Sequence, residues 1–135
     1  MTNPLGLKVH HITARVHDIV RATAWYRDVL GLQPGEHGER LGGAMKFATM
    51  LMPGFAVSLV QLDQPATEVA PGEALLPTWL HIVFSVPDPD ALYRALQARG
   101  EKLAMHGPPP TGPIRSFLVH DSEGNEIEIV AEDGP

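Results

Sequence analysis

The sequence predicts an α+β fold, with two βαβββ modules whose sheets form a cupped mixed surface. Two observations predict it. First, the stretch His11-Ile-Thr-Ala-Arg-Val-His-Asp18 returns as His81-Ile-Val-Phe-Ser-Val-Pro-Asp88, and both copies read His-Ile-x-x-x-Val-x-Asp at an offset of 70 residues. The same offset carries Gly54 onto Gly124, Val57 onto Ile127, Ser58 onto Glu128, Leu59 onto Ile129 and Val60 onto Val130. Matches at both ends of a unit, under one offset, argue for two structurally equivalent modules. Second, each copy passes from two-residue alternation to helical spacing and back to alternation, the order expected of a strand, a helix and then about three strands.

Module one is expected over residues 7–63. Its first strand covers about Val9 to Val16, with Val9, His11, Thr13 and Arg15 on one face and Ile12, Ala14 and Val16 on the other. Asp18 has the character of an N-cap. The helix it opens runs to about Leu30, with Ile19, Ala22, Tyr26, Val29 and Leu30 at helical spacing toward the sheet and Gly31 as a stop. Gln33 to Gly43 is polar and glycine-rich, which predicts a short strand and a loop. Met45 to Met52 and Phe55 to Leu62 predict a hairpin about the Pro53-Gly54 turn.

Residues 64–77 carry three prolines and one glycine without a period. They are expected to link the modules, or to cover a site, since long loops in compact domains are often functional. Module two is expected over 78–133. Trp79 to Val86 is its first strand, with His81, Val83 and Ser85 opposite Ile82, Phe84 and Val86. Asp88 caps a helix with Pro89 in its first turn, where the missing N–H costs nothing, and Gly100 ends it. Glu101 to Met105 is a possible strand and His106 to Pro113 a proline loop. Ile114 to His120, a turn at Ser122 to Asn125, and Glu126 to Ala131 complete the module.

Composition bounds the function. The 135 residues suit one compact domain, and 44% hydrophobic with 19% charged residues suit a globular protein. A formal charge of -6 disfavours a nucleic-acid partner, which needs a basic face. No apolar run approaches the roughly 18 residues of a membrane span. The opening Met-Thr-Asn-Pro-Leu-Gly-Leu-Lys has neither the charged nor the apolar region of a signal peptide, so a cytoplasmic location is expected. The absence of cysteine rules out thiolate metal sites and cysteine nucleophiles in this sequence. No serine nucleophile elbow or phosphate-binding loop is present.

The chemistry is expected where the modules are equivalent. His11 and His81 occupy one slot of the repeat, and both point away from the apolar row that packs on the helix. Glu128 does the same, because Ile127 and Ile129 take the helix side. Two imidazoles and one carboxylate with open positions suit a divalent metal such as Fe(II), Mn(II) or Zn(II). The bland alternative is three polar side chains on a solvated sheet face. Arg15 shares the face of His11 and is a substrate-binding residue or part of a solvated rim. His106 and His120 are possible proton-transfer groups, but a loop and a strand end are ordinary surface positions. His10 and His17 are expected to point off the site. Trp25 and Tyr26 belong to core or interface, and Trp79 either lines the site's mouth or packs the module boundary.

These residues resemble a family. Val9-His-His-Ile-Thr, Val16-His-Asp18, Trp25-Tyr26 and Val29-Leu-Gly-Leu32 resemble the opening of vicinal oxygen chelate proteins, which include glyoxalases, fosfomycin-resistance transferases, extradiol dioxygenases and bleomycin-resistance proteins. His120-Asp-Ser-Glu-Gly-Asn-Glu-Ile-Glu-Ile129 is similar to their closing segment. The resemblance implies His11, His81 and Glu128 as metal ligands. In glyoxalase I and methylmalonyl-CoA epimerase a Glu or Gln usually supplies a fourth ligand from the last strand of module one, and here that slot is Ser58. Gln61 lies three residues on and should face the other way. The resemblance therefore implies an extradiol-type dioxygenase acting on a small catecholic or other vicinal-oxygen substrate, with Fe(II) favoured and Mn(II), Zn(II) or Ni(II) possible. Ser58, Arg15 and Trp79 would contact substrate, and the acid/base residue is unassigned. A glyoxalase-like lyase or isomerase is the second reading. A metal-independent binding protein of the bleomycin-resistance kind is the third. Family members often form homodimers, so a dimer is expected.

Overall fold

The structure, a computed structural model, describes residues 5, 10–63, 82–105 and 110–133. The linker 64–77, Trp79, His81 and His106 lie outside the described residues, as does the expected first-strand start at Val9. The chain divides into two units, Met1–Thr67 and Glu68–Pro135.

The first unit contains β1 (Ile12–Arg15), α1 (Ile19–Asp28), β2 (Gln33–Arg40), a single 3-10 turn (Leu41–Gly43), β3 (Met45–Met52) and β4 (Phe55–Leu62). Its sheet has the order β1-β4-β3-β2, with β1 parallel to β4 and the other pairs antiparallel. Helix α1 begins where alternation stops. The Asp18 carboxylate accepts from the Arg21 amide at 3.0 Å and satisfies one of the free donors of the first turn. Gln61, from β4, gives a second acceptor: its Oε1 takes the Ile19 amide proton at 2.8 Å. Ala22 and Tyr26 are buried against the sheet, as their spacing predicts. The helix stops near Gly31, whose amide donates to the Arg27 carbonyl.

The second unit contains β5 (Ile82–Val86), α2 (Pro89–Ala98), β6 (Leu103–Ala104), β7 (Ser116–His120) and β8 (Glu126–Ala131). Its sheet has the order β5-β8-β7-β6, again with the first strand parallel to the last. The Asp88 carboxylate accepts from the Ala91 amide at 3.0 Å, the counterpart of the Asp18 cap. Pro89 and Leu96 are the buried residues of α2, and Leu96 answers to Tyr26 of α1.

The repeat extends to the strand register. In the first unit Ile12 pairs with Val57 and Thr13 with Ser58; in the second, Ile82 pairs with Ile127 and Val83 with Glu128. All four partners in the second unit stand 70 residues after those in the first. The hairpins differ. Met52 faces Phe55 across the two-residue Pro53-Gly54 turn, whereas His120 faces Glu126 across five residues. Both turns nonetheless place their glycine in the left-handed region, Gly54 at φ 73 and Gly124 at φ 83, where a side chain would be strained.

Two strands depart from expectation. β2 is eight residues long, although Gln-Pro-Gly-Glu-His-Gly-Glu-Arg has no strand pattern. It is an edge strand, with a register shift between Pro34 and His37, and an edge tolerates proline and glycine because only one side must pair. β6 is only two residues, Leu103–Ala104, at the edge of the second unit's sheet. Among the described residues no helix is long and apolar enough to cross a membrane.

Candidate functional site

Each sheet has a helix side and an open side. On the helix side Ala48, Met50, Val57 and Leu59 of the first unit are buried, as are Phe117, Val119, Ile127 and Ile129 of the second. Strand alternation then sends Ser58 and Glu128 to the open sides. Cross-strand pairing fixes their neighbours. Ser58 stands between Thr13 on β1 and Thr49 on β3, so the first unit carries a row of three hydroxyls. Glu128 stands between Val83 on β5 and Leu118 on β7, so the carboxylate has an apolar residue on each side. Leu118 is buried and Glu128 half-buried. Equivalent slots have thus been given different chemistry, a neutral hydroxyl in one module and an anionic oxygen donor in the other.

Arg15 is exposed and two residues along β1 from Thr13, so it belongs to the open side of the hydroxyl row. Gln61 does not belong there, because its side-chain carbonyl is used at the start of α1. His11 is exposed and lies one residue before β1. Its Nδ1 is 2.7 Å from Nδ1 of His10, and the two rings meet edge-on with centroids 5.0 Å apart. Strict alternation would send these adjacent side chains to opposite faces. The difference has a local cause: pairing with β4 begins only at Ile12, so His10 and His11 are free of the pleat. The Nε2 of His11 is the ring nitrogen outside this contact.

His81 and Trp79 lie outside the described residues, so the predicted ligands fully described are His11 and Glu128. Among the described residues no three His, Cys, Asp or Glu side chains gather as a metal-binding group. His120 ends β7 opposite Glu126, with Nε2 3.9 Å from a Glu126 oxygen, on the same open side as Glu128.

A groove of about 520 Å3 lies on the other side of the first sheet, between α1 and strands β2 and β3. Its wall includes Ile19, Ala24, Ala48 and Met50, and none of the predicted site residues lines it.

The residue that sequence reasoning passed over is Asp121. It is buried, at 7% exposure. One carboxylate oxygen accepts from the Glu123 and Asn125 amides, both at 2.8 Å, and the other from the Asn125 side-chain amide at 3.0 Å. The Asp121 amide in turn donates to the Asn125 carbonyl. This carboxylate closes the turn that delivers β8, and hence Glu128, into register. Its signal was the Asp-Ser-Glu-Gly-Asn spacing, which fits an aspartate bonding its own following backbone. Asp121→Ala is expected to cost about 1–3 kcal/mol, because the part-buried amides of Glu123 and Asn125 lose their acceptor. Urea unfolding checks it, and Asp121→Asn should recover part of the loss.

A family model for the Glyoxalase/Bleomycin resistance protein/Dioxygenase superfamily matches residues 8–129. No curated protein matches the chain. Solved structures do. The trypanothione-dependent glyoxalase I of Leishmania major aligns with a TM-score of 0.74 and 18% identity, over 95% of this chain and 88% of that one. A glyoxylase/bleomycin resistance protein/dioxygenase domain from Frankia sp. EAN1pec aligns with a TM-score of 0.72 and 22% identity, over 96% and 93%. A variant of the fosfomycin resistance protein FosX from Listeria monocytogenes, complexed with Mn(II) and 1S,2S-dihydroxypropylphosphonic acid, aligns with a TM-score of 0.64 and 18% identity, over 92% and 91%. At these identities the likeness is one of fold.

Proposed function

Because the chain belongs to the Glyoxalase/Bleomycin resistance protein/Dioxygenase superfamily, we propose that it is a metal-dependent enzyme whose centre is held by His11, His81 and Glu128. Its substrate is a small molecule with two adjacent oxygen atoms. The observation that carries this reading is the register: the 70-residue offset that equates His11 with His81 also puts Glu128, a carboxylate, in the open-side slot that Ser58 holds in the first unit. The donor set fits a divalent metal, since two imidazoles and one carboxylate leave positions for substrate. Fe(II) is favoured, with Mn(II), Zn(II) and Ni(II) as alternatives; the FosX relative is complexed with Mn(II). Such an ion, when bound, would supply positive charge to two adjacent substrate oxygens.

The chain's own residues do the rest. Thr13, Ser58 and Thr49 offer hydroxyls in one row, each able to donate to or accept from a substrate oxygen. Arg15, on the same side, attracts a substrate that carries negative charge. Val83 and Leu118 flank the Glu128 carboxylate with apolar surface, which limits water around it and strengthens its attraction for a cation. Trp79 lines the mouth in this reading, and a homodimer in the cytoplasm is part of the same proposal.

The reaction we favour is extradiol-type cleavage of a catecholic ring, in which both atoms of dioxygen enter the product. Ser58 supports it, because a neutral hydroxyl is a poor ligand and leaves its position open for a reactant. A second reading is glyoxalase-like isomerisation, and the Leishmania major relative is a glyoxalase I. Protein purified without air and loaded with Fe(II) is expected to consume oxygen in step with a catechol and form a yellow ring-cleavage product. Turnover of a hemithioacetal without oxygen would establish the second reading instead. Tight binding of a drug by metal-free protein, with neither reaction, would leave the sequestering role.

A further inference from the structure

We propose that His10 is a positioning residue for His11: its Nδ1 accepts the Nδ1 proton of His11, which leaves the lone pair of His11 on Nε2 for a metal. The inference rests on the reading that His11 is a ligand. Its own basis is the 2.7 Å contact between the two Nδ1 atoms. A neutral imidazole has one N–H, so a hydrogen bond between two Nδ1 atoms requires one ring to donate and the other to accept. If His11 accepted, its proton would sit on Nε2 and that nitrogen could not ligate. If His11 donates, Nε2 is a ligand and the ring is held by its other nitrogen. Ligating histidines almost always give their second N–H to a fixed acceptor, which sets tautomer and orientation. The edge-on ring contact adds a steric stop, with planes at 75° and centroids 5.0 Å apart.

The need for such a partner follows from location. His11 precedes β1, so no strand pairing holds its backbone, and its side chain is exposed. The repeat shows that the device is local to the first module. Seventy residues after His10 stands Leu80, whose side chain has no nitrogen, so the sequence puts no imidazole directly before His81. Both histidines are exposed, so their contact does little for the fold, and its loss should appear in metal affinity rather than in unfolding.

The test titrates the full chain with Co(II) against a competing chelator at fixed pH, following the visible cobalt absorption, for wild type and for the His10→Ala, His10→Asn, His11→Ala and His81→Ala variants. Asparagine puts an amide oxygen close to where Nδ1 stood and can still accept. His10→Ala is expected to weaken Co(II) binding by about 10- to 100-fold and alter the cobalt spectrum, as loss of a ligand's hydrogen-bond partner does elsewhere, with no change in melting temperature. His10→Asn is expected to recover most of the loss and the wild-type spectrum. If His10→Ala binds like wild type while His11→Ala and His81→Ala lose the metal, the positioning role is wrong and the metal site stands. If His10→Ala loses as much as His11→Ala and asparagine recovers nothing, His10 is itself a ligand and the proposal is overturned. If wild type does not bind Co(II), or His11→Ala binds it unchanged, the metal reading falls and takes this inference with it.

Discussion

Glu128→Ala is expected to weaken divalent-metal binding by more than about 100-fold, beyond the 10- to 100-fold typical of losing a partner behind a ligand. The reason is charge as well as a lost bond. Glu128 is the one anionic donor of the proposed set, and the two imidazoles that remain are neutral. The fold should survive. Glu128 is half-buried on the open side of β8, between Val83 and Leu118, and alanine keeps the backbone pairing with both strands. His81→Ala should behave alike. Ser58→Ala is the internal control, since it alters the equivalent slot of the first unit, where no ligand is proposed. It should leave affinity within about 2-fold, because a neutral hydroxyl is a weak donor to a divalent ion. Chelator competition measures all three. Metal retained by Glu128→Ala, or lost by Ser58→Ala, would sink the assignment of these slots.

What could be read from the chain depended on how local its cause was. The caps at Asp18 and Asp88 are set within three residues, and both were legible. So were the β3–β4 hairpin and β8, where alternation and turn residues agree. The parity of Ser58 and Glu128 followed from their buried neighbours, Val57 and Leu59 in one unit and Ile127 and Ile129 in the other. β2 was only partly legible because its strand state comes from β3: a polar, proline-containing segment becomes a strand when a long neighbour offers its edge. The contact of His10 with His11 was hidden for the opposite reason. Alternation is a property of paired strand, and pairing starts one residue later. Asp121 belongs to a sequence motif, but its role as acceptor for the Glu123 and Asn125 amides emerges only in the folded turn. The reaction is least legible, because two imidazoles and a carboxylate serve ring cleavage and fosfomycin-type transfer alike. In the proposed site the reaction type depends on what the open side would present to a substrate, and in the first unit that side carries the row Thr13, Ser58 and Thr49.

Phe117→Ala is expected to destabilise the second unit by about 3–5 kcal/mol, the usual cost of truncating a buried phenylalanine and leaving a cavity. Phe117 is fully buried on β7, opposite Ile129. Its ring meets Tyr93 of α2 edge-on, with centroids 5.3 Å apart and planes at 80°. It therefore ties the helix to the strand next to β8, and truncation removes both apolar burial and an aromatic contact worth about 0.5–1.5 kcal/mol. Against a typical stability of about 5–15 kcal/mol, such a loss is a large fraction of the whole. Phe117→Leu keeps much of the volume and should cost clearly less. Urea unfolding at 25 °C measures both. The functional consequence separates fold from site. Leu118, the next residue, points to the open side beside Glu128, and its pairing does not involve the Phe117 ring. Below its unfolding transition, Phe117→Ala should thus bind metal like wild type, the reverse of Glu128→Ala, which should lose metal and keep stability. A loss below about 1 kcal/mol on Phe117→Ala would mean that α2 is not held through this ring, since even modest core truncations exceed that value.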